Sequence, residues 1–155
     1  MAFGKFFEII IGAAAFVLIV IFFVIYNALI EVKNNVNRAW ADIDVLLEKR
    51  HDLIGKLVDT VKGYEAYEKS VLLQITKMRS SWITSQGADS KTKMETSNQI
   101  STALKSVFAV SENYPDLKAN TVFVDLQTAL KDIENQIADR REFYNDSVNQ
   151  YNIRI

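Results

Sequence analysis

The chain has 155 residues, a net charge of −1 from 18 basic and 19 acidic side chains, 49% apolar content and no cysteine. That length supports one domain with a modest core. The mixed, near-neutral charge leaves no broad basic footprint, so no nucleic-acid partner is expected, and the missing cysteines exclude disulfides, lipid attachment through cysteine and thiol catalysis.

After a short tail at residues 1–8, the run Ile9 to Tyr26 (IIIGAAAFVLIVIFFVIY) carries no charge and continues to Ile30, with Asn27 as its strongly polar interruption. As a helix, residues 9–30 would cover ~33 Å at about 1.5 Å per residue, enough for a hydrocarbon core of roughly 30 Å. A cleavable signal peptide is the rival reading. Its apolar region should span only about 7–15 residues, and here Ala13, Ala14 and Ala15 lie inside the run rather than after it. The stretch therefore predicts an uncleaved signal anchor, single-pass in the cell membrane, with lipid as a partner. Gly12 and Ala13, Ala14 and Ala15 form a small-residue patch that would let another transmembrane helix approach, although ordinary anchor composition explains them equally well. Lys5 flanks one side of the run, whereas Lys33, Arg38, Lys49 and Arg50 follow closely on the other, a bias that predicts a cytoplasmic C-terminal body.

Residues 31–155 are expected to form a helical-bundle domain. From Asn27 to Trp82 there is no proline, and Gly55 and Gly63 are the only glycines. Val36, Trp40, Ile43, Leu47, Ile54, Leu57, Val61, Tyr64, Val71, Ile75, Met78 and Trp82 keep one seam of alternating four- and three-residue steps, interrupted by Arg50 and Glu68. Leu46, Leu53, Val58, Leu72 and Leu73 widen the stripe into a bundle face. A first body helix is predicted over about residues 28–84. Gly87 can end it and Asp89 or Ser90 can cap a second helix, about 90–112, carrying Ile100, Leu104 and Val107. Pro115 forces a turn after Tyr114, and Asn120 can cap a third helix, about 121–153, carrying Phe123, Leu126, Leu130, Ile133 and Ile137. The fold class is all-α: a transmembrane helix continuing into a long-helix antiparallel (up-and-down) helical bundle with no strand signal. The first body helix is far longer than the other two, so it must form a stalk, bend, or have its stripe covered by neighbouring chains.

Four blocks carry a family resemblance: "YNALIEVKNNVNRAW" at 26–40, "KRHDLIGKLVDTVKGYEAYE" at 49–68, "AVSENYPDLKAN" at 109–120 and "REFYNDSVNQYNIRI" at 141–155. On these the sequence resembles the LemA family of membrane-anchored helical proteins. The resemblance implies a single-pass anchor and a helical-bundle body, and membrane-organising contexts that include magnetosome formation in one branch. It implies no reaction. Family members commonly continue past the equivalent of "YNIRI" into an apolar tail containing Phe and Pro, whereas the sequence here stops at Ile155.

The chemistry-bearing candidates are few. Glu48 and His51 make a Glu-x-x-His pair, the spacing that aims carboxylate and imidazole at one metal in helix-bundle sites; a complete site needs a second such motif, which only a dimer could supply to a chain with one histidine. The simpler reading is a partly exposed histidine on a charged face. Arg50, Glu68 and Arg140 interrupt apolar seams, where charge is costly unless paired or solvated. Either their long stems reach solvent or their heads set helix register through polar contacts. Tyr114, Pro115 and Asp116 are a recognition loop or a structural corner. No phosphate loop, cysteine–histidine set or histidine triad is present, so no catalytic or cofactor-binding residue and no cofactor is predicted. The leading expectation is a non-enzymatic, membrane-anchored scaffold that self-associates as a homo-oligomer. The alternatives are an adaptor for another membrane protein and a metal-dependent enzyme assembled at a dimer interface.

Overall fold

The computed structural model describes residues 2–63 and 69–155, with side chains described at residue 8 and over 10–63 and 72–155. Five helices follow in order: α1 (Ala2–Lys62), α2 (Lys69–Ser85), α3 (Ser90–Ser111), α4 (Pro115–Lys118) and α5 (Thr121–Arg154). No strand occurs among the described residues.

The chain divides into two units, and both α1 and α5 contribute to each. The first unit comprises residues 1–39 and 143–155. In it, every residue from Ile10 to Asn27 is exposed, and this apolar part of α1 is long and greasy enough to cross a membrane. Further along, Val32 and Ala39 of α1 and Ser147 of α5 are buried, while Asn35, Val36, Tyr144, Val148 and Tyr151 are partly covered. On each helix these residues recur at helical spacing, as one stripe turned from solvent.

The second unit, residues 40–142, holds the main core. Ile43, Leu47, Ile54, Leu57 and Val61 of α1, Ile75, Met78 and Trp82 of α2, Ile100, Leu104 and Val107 of α3, and Phe123, Leu126, Leu130, Ile133 and Ile137 of α5 are all buried. The described seam positions from Ile43 onward are therefore core, whereas Val36 and Trp40 are half-buried and the side chains of Tyr64, Glu68 and Val71 lie outside the described residues.

The single helix expected over residues 28–84 is instead two. α1 ends at Lys62, Gly63 N–H donates to the Thr60 carbonyl at 3.3 Å, and α2 begins at Lys69. The ring centroids of His51 and Trp82 stand 6.3 Å apart, whereas one straight helix would separate those residues by ~46 Å. The chain has reversed. A three-four stripe resumes in the same pattern after a reversal, so the seam alone does not reveal one. Folding back also removes the length mismatch, because α2 lays its stripe against the other helices of the unit instead of extending past them. Leu73, expected on the bundle face, is 63% exposed, since the buried stripe of α2 runs through Ile75, Met78 and Trp82.

The connections follow their turn chemistry. Asp89 caps α3, its side chain accepting from Thr92 N–H at 2.7 Å, and hydrogen bonding from the Thr92 side chain first and its backbone N–H second holds the carboxyl below the usual range. Pro115 occupies the first turn of α4, where a missing N–H costs nothing. Asn120 caps α5 by accepting from Phe123 N–H at 3.0 Å. Asn120→Ala is expected to lower stability by about 1 kcal/mol, read as a shift in the denaturation midpoint of the detergent-solubilised chain. An unchanged midpoint would mean that the cap contributes nothing.

Candidate functional site

The polar centre of the second unit forms around Arg50, whose heptad position turns it into the core among α1, α3 and α5. Its side chain is 1% exposed. Nη1 donates to Glu134 Oε1 at 2.7 Å and to Ser101 Oγ at 3.1 Å, and Nη2 donates to Ser97 Oγ at 2.9 Å. Ser97 and Ser101 are one turn apart on α3, so both hydroxyls face the same guanidinium. Ser101 Oγ lies 2.5 Å from Glu134 Oε2 and 3.0 Å from the Ser97 carbonyl, two acceptors for its single proton. Burial lowers the Arg50 pKa, and the charge and hydrogen bond of Glu134 oppose that shift. An arginine stays protonated even so.

A second guanidinium approaches from α5. Arg141 Nη2 donates to Ser97 Oγ at 2.8 Å, and Nη1 donates to Asn98 Oδ1 at 2.6 Å. Ser97 Oγ therefore accepts from two arginines, one for each lone pair. Arg141 Nε is buried without a hydrogen-bond partner. Desolvation lowers the Arg141 pKa first and the nearby Arg50 charge lowers it further, while Glu134 opposes both. The arrangement ties three helices at one level. A slip of α3 or α5 along α1 would strand a buried charge, which makes the cluster a device for fixing register.

Other predicted residues are placed differently. Arg140 does not enter the core: it is exposed and pairs with Asp42 at 3.6 Å, an ion pair between half-exposed side chains that contributes little. Its neighbour Arg141 points inward instead, because one residue step rotates the side chain by about 100°. Glu68 lies outside the described residues. Glu48 is exposed, and among the described residues no group of three or more His, Cys, Asp or Glu side chains gathers to hold a metal. Tyr114 is half-buried, Pro115 and Asp116 are exposed, and Leu117 behind them is buried. Gly12 and Ala13, Ala14 and Ala15 are exposed on α1, with open space where a Cβ at Gly12 would stand.

The sequence profile of the LemA family matches residues 39–155. The chain belongs to the LemA family. It is similar to Protein LemA of Metamycoplasma hominis, 28% identical over 87% of this chain and 63% of that protein. It is also similar to Magnetosome protein MamQ of Magnetospirillum gryphiswaldense, 22% identical over 84% of this chain and 57% of that protein. Magnetosome protein MamQ 2 of Paramagnetospirillum magneticum is 23% identical over the same shares. The chain thus spans about three-fifths of the length of these relatives.

In this LemA-family chain, sequence reasoning missed Ser97, Ser101, Glu134 and Arg141. Ser97 had a legible signal, since it falls three residues before Ile100 in the seam that continues through Leu104 and Val107. Glu134 and Arg141 each sit one residue past a predicted seam position and had none.

His51 is half-buried, its hidden side facing Trp82 across the hairpin. Its Nδ1 and Trp82 Nε1 are both buried without a hydrogen-bond partner. Desolvation pushes the His51 pKa below its ordinary value near 6.5 and Arg79 pushes it further, against Asp52 and Glu48. The folded chain thus favours neutral His51, and on acidification the unfolded chain takes up the proton first. This contribution to stability is complete above the unfolded pKa and is lost as pH falls through the folded one. As pH falls below the ordinary histidine value near 6.5, the denaturation midpoint is expected to drop, with a smaller drop in His51→Gln. Equal slopes in the two proteins would exclude His51 as the source.

Proposed function

We propose that this LemA-family chain is a non-enzymatic scaffold anchored in a membrane, with the helical unit at residues 40–142 serving as a surface for assembly with other copies. The observation that carries the reading is α1 itself: one helix supplies both the exposed apolar stretch Ile10–Asn27, which lipid would cover, and the core segment keyed by Arg50. The polar centre supports a structural use, because Arg50 spends three hydrogen bonds on Ser97, Ser101 and Glu134. The α2 part of the stripe, Ile75, Met78 and Trp82, which would have needed neighbouring chains on a single long helix, is buried within the chain. Self-association must therefore use outward-facing groups.

The test is extraction of the full chain with native lipid, followed by imaging and composition analysis of the particles. Homomeric particles of more than one copy are the expected result. Recovery of single copies in fixed ratio with a different polypeptide would replace the scaffold with an adaptor. Metal recovered in proportion to an untagged chain would revive the metal-enzyme alternative.

A further inference from the structure

Between α3 and α5 lies a groove of about 550 Å³ with Leu104, Phe108 and Leu130 in its lining and Lys105 and Lys131 on its two walls. The helices run antiparallel: Ser101 meets Glu134, and further along α3 the ring of Phe108 meets that of Phe123, 6.3 Å between centroids. Lys105 consequently stands across from the turn that carries Lys131. Neither lysine makes an ion pair with a described residue. The carboxylate in the same groove, Glu134, is already engaged by Arg50 and Ser101. Two ammonium groups thus border one apolar floor from neighbouring helices, an arrangement that calls for an acidic occupant with some apolar surface.

The other flank of α5 has that chemistry. Val122, Asp125, Ala129 and Asp132 recur at steps of three and four residues. Val122 is 54% exposed, both aspartates are exposed, and Ala129 is half-covered. At about 100° per residue this stripe faces nearly opposite the groove wall formed by Lys131 and Glu134.

We infer that the α3–α5 groove of one chain receives the Val122–Asp132 flank of α5 from a second copy, with Asp132 between Lys105 and Lys131. The inference rests on the scaffold reading and names its contact. Copies inserted in one membrane in the same sense, and related by rotation about its normal, keep equivalent residues at equal height. Asp132 of the second copy then arrives at the level of Lys131 in the first without a vertical slip, because the two are sequence neighbours. Groove and flank lie on opposite sides of α5, so the contact is head-to-tail: each copy receives one neighbour and offers itself to the next, giving a ring or an open row.

The test uses the full chain in phosphatidylcholine liposomes. Because the native sequence has no cysteine, Gln127→Cys in the groove and Ala129→Cys on the flank can be placed in separately tagged chains with all four charges retained. Mixing them under copper-phenanthroline oxidation is expected to give the mixed disulfide well above the background set by the exposed position Lys49→Cys. Lys105→Glu with Lys131→Glu, or Asp125→Lys with Asp132→Lys, is expected to lower intermolecular energy transfer about tenfold or more, since like charges then meet. Mixing the two charge-reversed chains should restore it, which a folding defect could not do. Energy transfer that persists with no mixed disulfide above background, or that ignores both reversals, overturns this contact and leaves the scaffold standing. No energy transfer in the unaltered chain at any surface density removes the scaffold and this contact together.

Discussion

Glu134→Ala is expected to destabilise the bundle by about 3–5 kcal/mol, the cost of leaving a buried guanidinium without its counter-ion. Arg50 is 1% exposed and has no route to water, whereas Glu134 is 29% exposed and can turn outward. The two halves of the pair are therefore unequal. Arg50→Met removes the buried charge and keeps most of the volume, and the carboxylate it frees can be solvated. Ser97 retains Arg141, and Ser101 retains the Ser97 carbonyl. The expected cost of Arg50→Met is about 1–2 kcal/mol, mainly lost hydrogen bonds. Chemical denaturation of the two variants in one detergent checks the ordering. If Arg50→Met is the worse, stranded charge is not the controlling cost; if neither shifts the midpoint, the cluster does not hold the helices together.

Leu18→Arg combined with Ile21→Arg is expected to move the chain out of the carbonate-resistant membrane fraction. Both residues sit near the middle of the apolar stretch and are exposed, at 67% and 47%. Each arginine at the centre of a spanning helix costs about 2.5–3.5 kcal/mol for insertion, so the pair removes about 5–7 kcal/mol. The apolar exchange Leu18→Ile with Ile21→Leu should leave the fraction unchanged. Retention of the double-arginine variant in washed membranes would show that this stretch is not what holds the chain there. The two experiments address different parts of α1, since the first perturbs the core around Arg50 and the second perturbs exposed residues of the apolar stretch.

Most of the architecture was legible because it depends on local chemistry. The apolar stretch, the seams through Leu47, Leu104 and Leu130, the cap at Asp89 and the turn before Pro115 each follow from side-chain type and spacing within a few residues. The reversal after Lys62 was not legible, since Gly63 is a permissive signal that many helices tolerate and the heptad pattern runs on through it. Arg50 stood out as a charge on an apolar seam. Its partners did not, because Ser97 and Glu134 lie 47 and 84 residues away and their pairing depends on how three helices align.

The sequence by itself determined that the chain is helical, that it carries a lipid-compatible apolar stretch, and most of the apolar side chains that form the core, because hydrophobic periodicity acts on each helix separately. Only the tertiary structure decided that α2 folds back, that Arg141 rather than Arg140 turns inward, and that Glu134 balances Arg50. Those choices depend on distances between residues far apart in the chain, and buried charge tolerates only an alignment that brings its partners within hydrogen-bond reach.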